Sequence, residues 1–152
     1  MYFYDLIKKM SFNDKLDIYV DMDGVIAAYE IGKPLDFNKK RPLNININTL
    51  KRISSLANVE LHILSICKKD FQIKEKNDWL DKYASFFIKE NRHILSKETI
   101  IGKESSEMKS NFLKSVTPNG KLCLIDDDNV LLKFIAKENP EVLLFQDSEL
   151  ID

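Results

Sequence analysis

Two short runs of carboxylates stand where apolar stretches end. Asp21 and Asp23 follow Leu16-Asp17-Ile18-Tyr19-Val20, and Asp126, Asp127 and Asp128 follow Leu122-Cys123-Leu124-Ile125. Alternate side chains of an extended strand share a face, so Asp21 and Asp23 project together and Met22 opposes them. Gly24 comes next and lets the chain turn out of the strand with no Cβ in the way. Two carboxylates that close repel each other unless a cation or a shared proton relieves them. A hard divalent cation such as Mg²⁺, held by one or two carboxylates and a substrate phosphate, is the natural relief. Asp and Gly are also ordinary turn residues. A second acidic strand end in the same chain is what argues for a shared metal site.

The acids need elements to carry them. Apolar residues at Phe3, Leu6, Ile7 and Met10 have helical spacing within residues 1–14, and the first strand follows over residues 16–21. No period survives from residue 27 to 44, where Gly32, Pro34 and Pro42 punctuate the chain. Lys33, Lys39, Lys40 and Arg41 face only Glu30 and Asp36 there, which suits either a solvated loop or a small cap over an anionic substrate. A helix capped by Asn46 or Asn48 buries Ile47, Leu50, Ile53, Leu56 and Ala57. The second strand, residues 59–66, has Ser65 at its end, and His62 reads as a packed or edge residue. A helix over 70–83 turns Phe71, Trp79, Leu80 and Tyr83 to the core.

Residues 86–96 contain the third strand, and Thr99-Ile100-Ile101-Gly102 makes either a short extra strand or a loop. A helix over 103–116, a turn at Thr117-Pro118-Asn119-Gly120, a strand over 121–126, a helix over 129–137 and a strand over 142–145 complete the chain. Strands that alternate with helices predict a mainly parallel sheet with helices on both faces, a three-layer α/β/α fold. Such folds place ligands at the carboxyl edge of the sheet, where both acidic runs fall.

At 152 residues the chain reads as a single domain, with residues 27–44 as its small cap or lid loop. The formal net charge of -1 gives no global field to recruit nucleic acid or membrane, and no apolar run is long enough to span a bilayer. Cys67 and Cys123 lie in or beside core strands, as buried thiols rather than a disulfide. Together with an N-terminus that lacks the basic-then-apolar layout of a secretory signal, this makes the cytoplasm the expected compartment. No stable protein partner is expected.

With Asp21-Met22-Asp23-Gly24-Val25, Ser65, a downstream lysine and Ile125-Asp126-Asp127 in that order, the sequence resembles the haloacid dehalogenase (HAD) superfamily of phosphohydrolases. The resemblance covers about residues 16–145. Within the superfamily it is most similar to the 5'(3')-deoxyribonucleotidases, on the run from Asp21 to Glu30 and on Lys74-x-x-x-x-Trp79-Leu80-x-Lys82-Tyr83. The resemblance implies a HAD-like Rossmannoid fold and a Mg²⁺-dependent phosphomonoesterase acting on a small phosphorylated substrate, a nucleotide in the first instance. Asp21 would be the nucleophile that forms an aspartyl-phosphate, and Asp23 the general acid and base, with its backbone carbonyl on the metal. Ser65 would hydrogen-bond the phosphoryl group.

A lysine would offset charge between nucleophile and phosphate. Lys109, in Lys109-Ser110-Asn111-Phe112-Leu113, resembles the family's helix start, and Lys103 is the alternative. Asp21, Asp23, Asp126 and Asp127 are the candidate metal ligands. Strand alternation permits Asp126 and Asp128 to face one way and Asp127 the other, while the resemblance points to Asp127. Tyr29 stands where such nucleotidases place an aromatic against the base. With only residues 27–44 left for a cap, the site would be more open than theirs, which keeps the phosphorylated end of a nucleic acid strand in play. The rival from another class is a non-catalytic module that binds metal or phosphate.

Overall fold

A computed structural model describes residues 2–29 and 36–152. The middle of the expected lid, with Glu30, Gly32, Lys33 and Pro34, lies outside the described residues. Five strands form one parallel sheet: β1 (Leu16–Val20), β2 (Val59–Cys67), β3 (Arg92–Ser96), β4 (Lys121–Asp126) and β5 (Leu143–Gln146), in the order β3-β2-β1-β4-β5.

All five residues of β1 are buried because helices cover both faces of the sheet. One face carries Leu16, Ile18, Val20, Leu61, Ile63, Cys123 and Ile125. It packs on α1 (Phe3–Ser11), α2 (Asn44–Ser54) and α3 (Phe71–Tyr83) through Phe3, Ile7, Leu50, Ile53, Trp79 and Leu80. The other face carries Tyr19, Leu64, Leu122 and Leu124, and meets α4 (Ser105–Ser115) and α5 (Asn129–Glu138) through Leu113, Leu131, Leu132 and Ile135. The result is the three-layer α/β/α architecture read from the sequence.

From β1 the chain steps outward to β2 and β3, then returns to the other side of β1 as β4. The direction of winding reverses between β1 and β4, and that is where an open α/β sheet leaves a crevice beyond its carboxyl ends. Val20 pairs with Ile125, and the Asp21 amide donates to the Ile125 carbonyl at 3.0 Å. The two acidic strand ends are thereby set side by side.

Several local expectations are corrected. Neither Asn46 nor Asn48 caps α2, which begins at Asn44 with no side-chain cap. Asn46 instead lies inside the helix, buried, and its Nδ2 donates to the Val25 carbonyl at 2.7 Å. The turn after Gly24 leaves that carbonyl in the interior, where it needs a donor. Phe71 does not face the core: it is 63% exposed. It lies nine residues before Leu80, about 180° around a helix of 3.6 residues per turn. Of the two alternatives for Thr99–Gly102 the loop is the one found: the segment forms turns, with Gly102 at φ +79°. Strand β2 runs two residues beyond Ser65, which is paired with Ile94 of β3. Among the described residues no helix is long and apolar enough to cross a membrane.

Candidate active site

Asp21 follows β1 directly, Asp126 ends β4, and Lys109 reaches both from α4. Its Nζ lies 3.0 Å from Asp21 Oδ1 and donates to Asp126 Oδ2 at 2.7 Å. All three side chains are almost wholly withdrawn from solvent. Burial alone would strip the charge from the lysine, but the two carboxylates hold its pKa above the ordinary lysine range. Asp126 Oδ1 takes a further hydrogen bond from the Asp128 amide at 3.0 Å. Asp128 itself caps α5, accepting from the Val130 and Leu131 amides. It therefore serves the helix, and Asp127 is the member of the triplet left to turn toward the loop after β1.

Gly24 shows why that loop has its composition. Its φ is +79°, and a Cβ built on it would lie 2.1 Å from Asp127 Oδ2 and 2.6 Å from the Tyr29 ring. Only glycine fits both the backbone and the space. Asp21, Asp126 and Asp127 each offer an oxygen, and the three lie within 4.8 Å of one another. One lysine does not balance them. Burial, the neighbouring Asp126 and then Asp23 push the Asp21 pKa up to about 7 against the pull of Lys109. Burial and Asp126 likewise raise Asp127 to about 6. An all-oxygen donor set that holds protons so tightly suits a hard divalent cation in their place.

Asp23 has a different environment. Lys76 Nζ donates to its Oδ2 at 3.2 Å, and Lys40 Nζ grips its Oδ1. Burial raises the Asp23 pKa, but Lys76 and Lys40 outweigh it and hold the carboxyl below its usual range. The two acids of the Asp-x-Asp run thus titrate in opposite directions, which is how a fold separates acid and base roles at one pH.

Two adjoining cavities open here. One of about 160 Å³ is lined by Asp21, Asp23, Tyr29, Lys109, Asp126 and Asp127 among others. A neighbour of about 380 Å³ shares Asp23 and Tyr29 and adds Lys40, Lys68, Lys76 and Lys97. Tyr29 is 62% exposed, its ring 5.7 Å from Lys40 Nζ.

The fold therefore gathers Asp21, Asp23, Tyr29, Lys109, Asp126 and Asp127 around one space. Lys103 stays at the surface beside Glu107, 3.5 Å away. Ser65 is fully buried inside β2 and lines neither cavity, and its Oγ accepts a 2.6 Å hydrogen bond from Lys76. Sequence reasoning missed Lys76, which also donates to the Ile66 carbonyl at 2.9 Å and is 2% exposed. A signal was present: Lys76 shares the apolar face of α3 with Trp79, Leu80 and Tyr83, and a lysine on such a face needs a buried partner. Ser105, the first residue of α4, lines both cavities and was likewise not singled out.

No family model matches the sequence, and no curated protein does. Solved structures do match in fold. A chain of the Pnkp1/Rnl/Hen1 RNA repair complex superposes with a TM-score of 0.69 at 16% identity, over 88% of this chain and 42% of that one. A second structure of the Pnkp1/Rnl/Hen1 complex gives 0.65 at 16% identity, over 87% and 45%. The HAD domain of effector protein Lem4 from Legionella pneumophila gives 0.56 at 16% identity, over 87% and 85%. The chain thus spans less than half the length of the repair-complex chains and most of the Lem4 domain. Its fold is the three-layer α/β arrangement found in a HAD domain.

Proposed function

We propose that this protein is a Mg²⁺-dependent phosphomonoester hydrolase working through an aspartyl-phosphate on Asp21. The observation that carries the reading is Lys109 between Asp21 and Asp126 at adjacent strand ends, with Asp127 alongside. Phosphoryl transfer is chiefly positioning and charge stabilisation, so a carboxylate ringed by a lysine and a cation site has the parts it needs. Asp21, Asp126 and Asp127 would hold the ion, whose chemistry is to offset charge where an anionic nucleophile meets an anionic phosphate.

The chain's own residues then divide the work. A carboxylate oxygen of Asp21 attacks phosphorus while the bond from phosphorus to the substrate oxygen breaks. Asp23 gives its proton to the departing alcohol. In the second half Asp23 takes a proton from water, the water oxygen bonds to phosphorus, and the phosphorus bond to Asp21 breaks to release inorganic phosphate. Lys76 and Lys40 keep Asp23 ionised at rest. Its acid role therefore requires proton uptake once an incoming phosphate draws those ammonium groups to itself. Lys109 stays fixed on Asp21 and orients it. Ser65 acts by fixing Lys76 rather than by touching phosphate.

A nucleotide is the substrate class we favour. Tyr29 offers an exposed ring beside the reacting carboxylates, and base stacking on an aromatic is worth about 1–3 kcal/mol. The larger cavity, with four lysines and an open mouth, favours a nucleotide at the end of a strand over a free mononucleotide. The likeness to a chain from an RNA repair complex supports the same choice. The test is phosphate release from nucleoside monophosphates, sugar phosphates and 3'- or 5'-phosphorylated oligonucleotides, each with Mg²⁺ or with EDTA. Release from oligonucleotide ends that stops with EDTA is the expected result. No Mg²⁺-dependent release from any of them overturns the reading.

A further inference from the structure

At the opposite, amino edge of the sheet, β1 and β2 bury a second group of potential ligands. Asp17 and Glu60 are partners across the two strands, and His62 follows Glu60 on the same face. Asp17 is 4% and His62 8% exposed. A carboxylate inside a central strand is anomalous unless something compensates it. One ligand atom from each of Asp17, Glu60 and His62 lies within 4.8 Å of the others. His62 Nε2 is buried with no hydrogen-bond partner among the described residues. It points between Asp17 Oδ1 at 3.6 Å and Glu60 Oε1 at 3.8 Å, both too long for hydrogen bonds.

We infer that Asp17, Glu60 and His62 form a second metal site, taking a first-row transition ion of the Zn²⁺ kind. Zinc bonds of about 2.0–2.2 Å set tetrahedral ligands about 3.3–3.6 Å apart. The two spacings from His62 Nε2, 3.6 and 3.8 Å, need to close by only a few tenths of an ångström. One nitrogen and two carboxylate oxygens leave a fourth position for water, and imidazole selects such ions over Mg²⁺.

The surroundings meet the requirements of a metal ligand. His62 Nδ1 lies 3.2 Å from His93 Nε2. A proton on Nδ1, donated to His93, leaves the lone pair on Nε2, the orientation that a metal-bound histidine needs. The ring is clamped by Tyr19, stacked at 4.4 Å. Asp17 Oδ2 is steadied by the Asn119 amide at 3.2 Å, and Glu60 Oε1 by Asn91 Nδ2 at 3.0 Å. Lys15 Nζ lies 3.7 Å from Glu60 Oε2, and both side chains reach solvent. Four residues of strand, about 13 Å, separate Asp17 from Asp21, so the two metal sites are distinct. The ion would tie β1 to β2 at the edge remote from the candidate active site.

The test is Zn²⁺ titration of the EDTA-stripped full chain by calorimetry, with excess Mg²⁺ present, followed by Co²⁺ substitution to read ligand geometry from its visible absorption. The background is Asp127→Asn, which weakens the acidic cluster and leaves this site intact. We expect one Zn²⁺ per chain, a tetrahedral Co²⁺ spectrum, and binding weakened about tenfold or more when Glu60→Gln is added. Glu60 is partly exposed, so that variant is expected to fold. His62→Gln should abolish the spectrum, and circular dichroism reports whether it folds; if it does not, Glu60→Gln decides alone. No saturable Zn²⁺ binding, or binding that Glu60→Gln leaves unchanged, overturns the inference. The outcome is independent of whether Asp21 is a nucleophile.

Discussion

The indole nitrogen of Trp79 donates a 2.9 Å hydrogen bond to the carbonyl oxygen of Lys40. Through it, helix α3 holds the segment whose ammonium group grips Asp23. Phe37 packs edge-on against the same indole at 5.8 Å, and its ring lies beneath both Lys40 and Lys76, 4.8 and 5.0 Å from their Nζ atoms. Trp79→Phe keeps much of the packing and leaves the Lys40 carbonyl without its donor. A stability loss of about 1–3 kcal/mol is expected in urea unfolding, with a lower kcat/KM because Lys40 loses its anchor.

Asp21→Asn should remove turnover, since an amide oxygen cannot serve as the nucleophile. Asp23→Asn should slow it by about 10²–10⁴-fold, the usual worth of a general acid–base group. Because Asp21 survives in the second variant, a phosphorylated protein should accumulate with a substrate whose leaving group needs no proton. Acid-quenched protein, assayed for a hydroxylamine-labile phosphate, checks this. Undiminished hydrolysis by Asp21→Asn would sink the mechanism.

Lys40 and Lys76 together hold the Asp23 pKa low. Lys40→Met removes one of them, so the Asp23 pKa should rise and the alkaline limb of the kcat/KM profile, where the acid loses its proton, should move to higher pH. The same substitution at Lys103, which pairs with Glu107 at the surface, should leave the profile where it is. A pH–rate series on the three proteins decides the matter.

Binding of a divalent ion to the acidic cluster should release protons. Asp21 is raised to about 7 and Asp127 to about 6, so both carry substantial proton occupancy at pH 6 in the metal-free protein. Calorimetry at that pH, in buffers with different ionisation enthalpies, should show the release, and affinity should fall as pH drops through this range. The stability sign follows. A carboxyl whose folded pKa lies above its unfolded value stabilises the fold below the unfolded value, near 3.8, and that contribution is lost as pH rises through about 6 and 7. Metal-free protein should therefore lose stability over that interval, and Mg²⁺ should restore it.

Gly24→Ala should cost about 1–2 kcal/mol for the left-handed backbone alone. Its Cβ also meets Asp127 and Tyr29, so Mg²⁺ affinity should fall with stability. Thermal unfolding with and without Mg²⁺ separates the two effects: a shift equal in both conditions would leave Asp127 outside the metal site.

Layers and element order were legible in the residues because hydrophobic period and turn chemistry are local. Strands ending in carboxylates, the glycine after Asp23 and the Thr117–Gly120 turn each carry their meaning within a few positions. The acid clusters could be named for the same reason. What the sequence could not supply was which atoms meet. Asp126 against Lys109, Asp127 over Gly24 and Asp128 as a helix cap are three fates for three adjacent, identical residues, separated only by the direction the chain takes after β4. Ser65, expected at the end of its strand, is a buried partner of Lys76 because β2 runs on past it. The partners of Lys76, and the Asp17, Glu60 and His62 group, became visible only when separate elements were brought together. Electrostatic energy depends on distance and burial, and those are properties of the folded chain rather than of residue order.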